Sequence, residues 1–240
     1  MLSSGSSYIP SISSTGYIAE TVTTSGLISY YDASDSTSWV DGDSTLYDLS
    51  GNNVNLGPYG GIATSTFSNG AVGWNFDAVG KYFAGGNYTM PAKNLTMEAW
   101  IHPAASEVSS GDRGTVIKII GGQDAYMSWN KGNQYLSNYW YSHTPDGYHE
   151  TIGPSSRGAW HHWCSVWSYG QGYLYQYVDG NVNKTATQGN SSAGTSINIG
   201  RESDERQFSG GIAIIRLYNR ALRPDEVMDN FFAERGRFGV

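Results

Sequence analysis

The sequence predicts an all-β fold, a two-sheet antiparallel sandwich carrying one short C-terminal helix. Three observations lead there. The chain holds 31 glycines and 14% aromatic residues against only 15% charged residues, a mixture that suits short strands joined by glycine turns. From residue 26 onward, short alternating segments recur between turn signals, the pattern of a β-sandwich. One stretch alone, close to the C-terminus, combines helical spacing with caps.

In order along the chain, "GLISYYDAS" opens the strands and "LYDLSGNNVNL" is a loop rich in Gly and Asn. "GWNFDAVGKYFAGG" predicts a strand pair around Gly80. "LTMEAWIHP" alternates cleanly: Leu95, Met97, Ala99 and Ile101 fall on one side, Thr96, Glu98, Trp100 and His102 on the other, and Pro103 ends the run. "GTVIKIIGG" and "AYMSWN" read as successive strands, and "GYLYQYVDGNV" ends in Asp179-Gly180, which favours a two-residue hairpin. "TSINIGRE" and "GGIAIIRLYN" supply two more strands. The helix is expected over about residues 224–235, in "LRPDEVMDNFFAERG". Pro224 suits its first turn, Asp225 and Glu226 complement the positive end of its dipole, and Arg223 is its cap. Leu222 and Val227 then stand at the spacing of a hydrophobic staple, Val227 and Phe231 share a face, and Gly236 is a natural stop.

A length of 240 residues accommodates a single large sandwich, and such a domain buries a sizeable core without disulfides. The net charge of −7, with no block of lysine or arginine, argues against nucleic acid as a partner. Cys164 is the lone cysteine, consistent with folding in a reducing cytoplasm. The opening residues show neither a basic segment nor an apolar one of the secretory kind, and no apolar run reaches membrane-spanning length. Residues 1–25 stand apart from the sandwich domain over 26–240: they are rich in Ser, Thr and Gly and almost uncharged. Tyr8, Ile9, Ile12, Tyr17, Ile18 and Val22 punctuate this stretch, which is expected to act as an arm that docks on its own domain or on a neighbouring subunit.

"GAWHHWCSVW", residues 158–167, gathers two histidines, a cysteine and three tryptophans. In a strand, neighbouring side chains point to opposite faces. Trp160, His162, Cys164 and Val166 then share one face, and His161, Trp163, Ser165 and Trp167 the other. The two histidines diverge and do not share a metal. Nor do His102, His143 and His149 offer zinc-ligand spacing, and nothing marks the electropositive setting a reactive thiol requires. A structural strand is the expected reading.

The longer run "GAWHHWCSVWSYGQGYLYQYVDGNV" resembles the laminin-G-like, concanavalin-A-like jelly-roll domains, whose members often read Trp-His-His, a strand, then Leu-Tyr-Val-Asp-Gly. "INIGRESDERQFSGGIAIIRLYNRALRPDEV" is similar to the closing strands of that family, and "LYDLSGNNVN" and "LTMEAWIHP" to earlier ones. The resemblance spans roughly residues 26–235 and implies a jelly roll. The ending "NFFAERGRFGV" further resembles tails of such domains in phage structural proteins. Many relatives carry an acidic residue where this chain has Ala213, and a Gly/Asp-rich turn where it has "DAVGKY", with Lys81 close to Asp77. Calcium, with its six to eight oxygen ligands, is therefore weakly supported, Asp124 and Asp204 being the remaining candidates, and no other cofactor is expected.

The same fold class hosts glycan-cleaving enzymes. A retaining glycosidase needs two carboxyl groups about 5–5.5 Å apart. Glu98 is the only acid in its strand, and the Glu-x-Asp-x-x-Glu signature of the hydrolase relatives is missing, so Glu98 is expected to be a hydrogen-bonded structural acid. The leading expectation is a non-enzymatic virion protein, a capsid decoration subunit attached through the arm, homo-oligomeric and in contact with capsid or other virion proteins. The alternative is a carbohydrate-binding adhesin module of a tail or fibre, with Tyr139, Trp140, Tyr141 and Tyr148 as the stacking surface for a host glycan. A glycan hydrolase stands third.

Overall fold

The structure, a computed structural model, describes residues 21–90, 93–121, 124–140, 148–150, 156–187 and 194–240. Its strands run β1 (Leu27–Asp32), β2 (Leu56–Tyr59), β3 (Thr64–Thr66), β4 (Val72–Phe76), β5 (Tyr82–Gly85), β6 (Asn94–Pro103), β7 (Arg113–Gly121) and β8 (Ala125–Asn130). They continue as β9 (Tyr135–Trp140), β10 (Tyr148–Glu150), β11 (His161–Ser168), β12 (Tyr173–Val178), β13 (Asn181–Thr187), β14 (Gly194–Ile199) and β15 (Gly210–Tyr218), and the helix α1 (Pro224–Phe238) follows.

One sheet has the order β13-β12-β11-β6-β15-β4-β3, with β1 also paired to β15; the other has the order β10-β9-β8-β7-β14-β5-β2. All these strand pairings are antiparallel. The inner faces meet in one core that takes Leu95, Met97, Ala99 and Ile101 from β6 and Trp163 and Trp167 from β11. Trp163 stacks across the sheet gap on Trp129 of β8, ring centroids 5.7 Å apart. The opposite face of the first sheet receives α1: Trp100, Trp160 and Ile214 pack with Phe231 and Phe238, and Cys164, Val166 and Tyr218 with Leu222 and Val227. The alternation expected in both strands is the alternation found, because a strand buried on both sides has no freedom to slip by one residue.

Two local features differ from expectation. The strands flanking Gly80 do not pair with each other: β4 lies in the first sheet and β5 in the second. The turn between them crosses the sandwich and is pinned by buried Gln207, which accepts from the Gly80 N–H at 2.7 Å and donates to the Ala78 carbonyl. The helix runs through Gly236 to Phe238 and stops at Gly239, whose φ of 71° places it in the left-handed region. Phe238 holds this last turn down by stacking on Trp100, centroids 4.1 Å apart. The N-terminus is as expected, with the Arg223 N–H donating to the Glu226 carboxylate at 2.8 Å. The Asp179-Gly180 hairpin is also present, with φ of 52° and 75°, joining β12 to β13.

Candidate functional site

The histidine pair is split by the sheet. His161 faces the loop side, where Nδ1 lies 3.1 Å from the Asp179 carboxylate and Nε2 meets the Ser156 backbone. His162 points under α1, with Nε2 2.8 Å from Glu98 Oε1. The second oxygen of Glu98 accepts from Asn230 Nδ2 at 2.8 Å and from the Tyr218 hydroxyl at 3.3 Å. Arg216 stands 3.6 Å from Glu98 and forks onto Glu234, which also accepts from Trp100 Nε1 at 2.8 Å. Burial by itself raises the Glu98 carboxyl, yet the His162 hydrogen bond and the Arg216 charge outweigh it and hold the group below its ordinary range. Burial pushes the Cys164 thiol far up, and Glu98 adds to that, which leaves no nucleophilic thiolate. The side chain of Glu98 is 0% exposed, so no sugar reaches it. This network fastens a helix to a sheet.

Among the described residues no cluster of three or more His, Cys, Asp or Glu side chains is placed to hold a metal. Each carboxylate considered for calcium meets a cation instead: Asp77 with Lys81 at 2.7 Å, Asp124 with Lys118 at 3.1 Å, Asp204 with Arg201 at 2.8 Å. Ala213 is buried beneath α1.

The outer face of the second sheet carries two of the aromatic candidates, at the register positions of Tyr139 and Tyr148. Strand register places Lys118, Tyr126, Tyr139 and Tyr148 in one row across β7, β8, β9 and β10. Within that row the Lys118 ammonium sits 4.9 Å from the Tyr126 ring centre, and the Tyr126 hydroxyl donates to Asp124 at 2.9 Å. Tyr126 and Lys118 are half-buried, and the Lys118 ammonium is paired with Asp124. Trp140 follows Tyr139 at the register position of Ala125, a residue of the core between the sheets, so the pleat places it on the opposite face from Tyr139 and Tyr148. Tyr141 lies outside the described residues. Tyr126 had escaped the sequence reading because it stands thirteen residues before Tyr139, and only strand pairing makes them neighbours. Missed as well was the run Tyr173, Tyr175, Tyr177 on the outer face of β12, whose period of two was the available signal.

Of the arm, Tyr8, Ile9, Ile12, Tyr17 and Ile18 lie outside the described residues, and Val22 is half-buried. Beside Val22 the chain is fastened to its own domain: the Thr23 N–H donates to Asn230 Oδ1 at 2.8 Å and its carbonyl accepts from Tyr218 at 3.1 Å. Ser25 is held through its carbonyl by Arg220 at 2.8 Å.

Two antiparallel sheets packed face to face, with a C-terminal helix on the outer side of one, define a jelly-roll sandwich of the concanavalin A type. The chain belongs to the Laminin_G_3 family of the concanavalin A-like lectin/glucanases superfamily, whose model matches residues 77–228, more than half of its length. No curated protein matches the chain. Among solved structures it is similar to the botulinum neurotoxin serotype D ligand-binding domain in complex with N-acetylneuraminic acid (TM-score 0.65, 14% identity, 87% of this chain and 51% of that one). It is also similar to domain 4 of AbnA, a GH43 extracellular arabinanase from Geobacillus stearothermophilus in complex with arabinotriose (TM-score 0.63, 18% identity, 85% and 97% covered). A third is the binding domain of Paraclostridial Mosquitocidal Protein 1 (TM-score 0.62, 16% identity, 87% and 52% covered). The chain spans about half the length of the neurotoxin and mosquitocidal-protein domains.

Proposed function

We propose that this chain is a non-catalytic carbohydrate-recognition domain that receives glycan on the outer face of its second sheet. The observation that carries the reading is the row of Lys118, Tyr126, Tyr139 and Tyr148 across four adjacent strands. Aromatic rings interspersed with a lysine and an aspartate supply stacking faces and hydrogen-bond partners, the combination a sugar requires. Similar folds hold N-acetylneuraminic acid in the toxin domain and arabinotriose in the arabinanase domain. Burial of Glu98, the one acid of its strand, supports a binding role over a hydrolytic one. The test is a glycan array followed by calorimetry. Tyr126→Ala and Tyr139→Ala are each expected to weaken the best oligosaccharide at least about tenfold, or roughly 1.4 kcal/mol; silence of the unmodified chain across a broad panel would overturn the reading.

A second reading places this module on a phage particle, as a homo-oligomeric decoration or fibre subunit made in the host cytoplasm and contacting other virion proteins. It is favoured by the resemblance of the C-terminal tail and by the fastening of Thr23 to Tyr218 and Asn230. That root lies on the helix side of the sandwich, opposite the tyrosine row of the second sheet. Because Thr23 and Ser25 belong to the folded domain, the informative truncation removes residues 1–20. The truncated protein is expected to melt within a few degrees of the full chain yet fail to join the particle; unchanged occupancy on the particle would refute attachment by the arm.

A further inference from the structure

We infer that the groove between β12 and the first turn of α1 is a second saccharide site, one that takes a single neutral sugar ring. It rests on the reading of the domain as a glycan binder and lies on the other side of the sandwich from the tyrosine row. The groove encloses a cavity of about 240 Å³, below the roughly 300–1,000 Å³ of pockets for drug-sized ligands, which limits it to one ring. Val166 and Leu222 form an apolar floor, the Tyr175 and Tyr177 rings a wall, and Gln171 and Arg223 a polar rim.

Each part matches one side of a pyranose. A sugar presents a C–H face, which packs on an aromatic ring, and a perimeter of hydroxyls, which must find hydrogen-bond partners. Within the tyrosine wall Tyr177 is buried and Tyr175 half-buried, and Tyr173, 44% exposed, continues the run along β12 with its ring 5.9 Å from that of Tyr175. The Tyr175 hydroxyl donates to Gln171 Oε1 at 3.1 Å, which fixes the amide and leaves its nitrogen to donate to a sugar oxygen. Charge decides between neutral and ionic ligands. Arg223 is already answered by Asp225 at 2.9 Å and Glu226 at 3.4 Å, so an anion meets a neutralised guanidinium with two carboxylates behind it. A cation meets the guanidinium itself. An uncharged polyol meets neither penalty.

The test is calorimetric titration of the full chain with glucose, galactose, mannose and N-acetylglucosamine, with N-acetylneuraminic acid as the charged control. At least one neutral monosaccharide is expected to bind in the millimolar range. Tyr175→Ala and Gln171→Ala should each weaken it tenfold or more, while Tyr126→Ala leaves it unchanged. Gln171 sits in an exposed single turn outside the core, so its variant keeps the test decisive should Tyr175→Ala fail to fold. Binding of no neutral monosaccharide, binding of the acidic sugar alone, or wild-type affinity in Gln171→Ala would overturn the proposal. Oligosaccharide binding lost in Tyr126→Ala, together with no monosaccharide binding by the unmodified chain, would leave the outer-face reading standing while this one fell; monosaccharide binding lost in Gln171→Ala, with oligosaccharide binding untouched by Tyr126→Ala, would separate them the other way.

Discussion

Replacement of Glu98 by alanine is expected to destabilise the domain by about 3–5 kcal/mol, the range for removing one partner of a buried charge network. The carboxylate is the hub under α1: its loss strands the His162 ring Nε2 in a space without solvent, removes one hydrogen bond each from the Tyr218 hydroxyl and the Asn230 amide, and takes from Arg216 one of its two acidic neighbours. Thr23 would loosen too, since Tyr218 and Asn230 hold both Glu98 and the Thr23 backbone. Glu98→Gln, which keeps the shape and most hydrogen bonds but not the charge, should cost less. Urea unfolding followed by tryptophan fluorescence measures both. The outcome also separates a structural acid from a catalytic one, because removing a catalytic group commonly leaves stability unchanged or raises it. A Glu98→Ala unfolding free energy within about 0.5 kcal/mol of wild type would mean that the network does not fasten the helix.

What the sequence disclosed follows from which forces are local. In "LTMEAWIHP" and "HHWCSVWS" the side-chain period is fixed at two, so deciding that a segment is a strand assigns every residue to a face. The divergence of His161 and His162 followed directly. Asp179-Gly180 and the Leu222–Val227 staple were legible for the same reason, since each is decided within five residues. Contacts between distant segments were not. Glu98 meets His162 across 64 positions and Asn230 across 132, and no spacing rule pairs them. Gly80 marked a turn, but local sequence does not say whether a turn returns within a sheet or crosses to the other; the crossing depends on Gln207, 127 residues away. The end of the helix was misjudged because Gly236 is permissive, and the burial of Phe238 against Trp100 decides instead. The groove at Tyr175 arises only when the first turn of α1 is laid beside β12, two elements whose meeting is tertiary.

Trp100→Ala is the second substitution expected to cost about 3–5 kcal/mol, the usual loss for deleting a buried tryptophan or phenylalanine. The indole is fully buried and stacks on Phe238 at 4.1 Å and on Phe231 at 5.9 Å, with interplanar angles of 14° and 15°. Its N–H donates to Glu234 at 2.8 Å, the carboxylate that also receives Arg216. Removing it opens a cavity beneath the last turns of α1 and not in the core between the sheets, where Trp129 and Trp163 stack undisturbed. The damage should therefore be uneven. Amides of the second half of α1 are expected to exchange with solvent faster by a larger factor than those of β7 and β8, and the midpoint of thermal unfolding should fall. Since the first turn of the same helix borders the Tyr175 groove, monosaccharide affinity should drop in Trp100→Ala although Trp100 lines neither glycan surface. Trp100→Phe, which restores much of the stack without the N–H, should recover most of both losses. If α1 and β8 lose protection by the same factor, the helix is not hung on this residue but melts only with the whole sandwich.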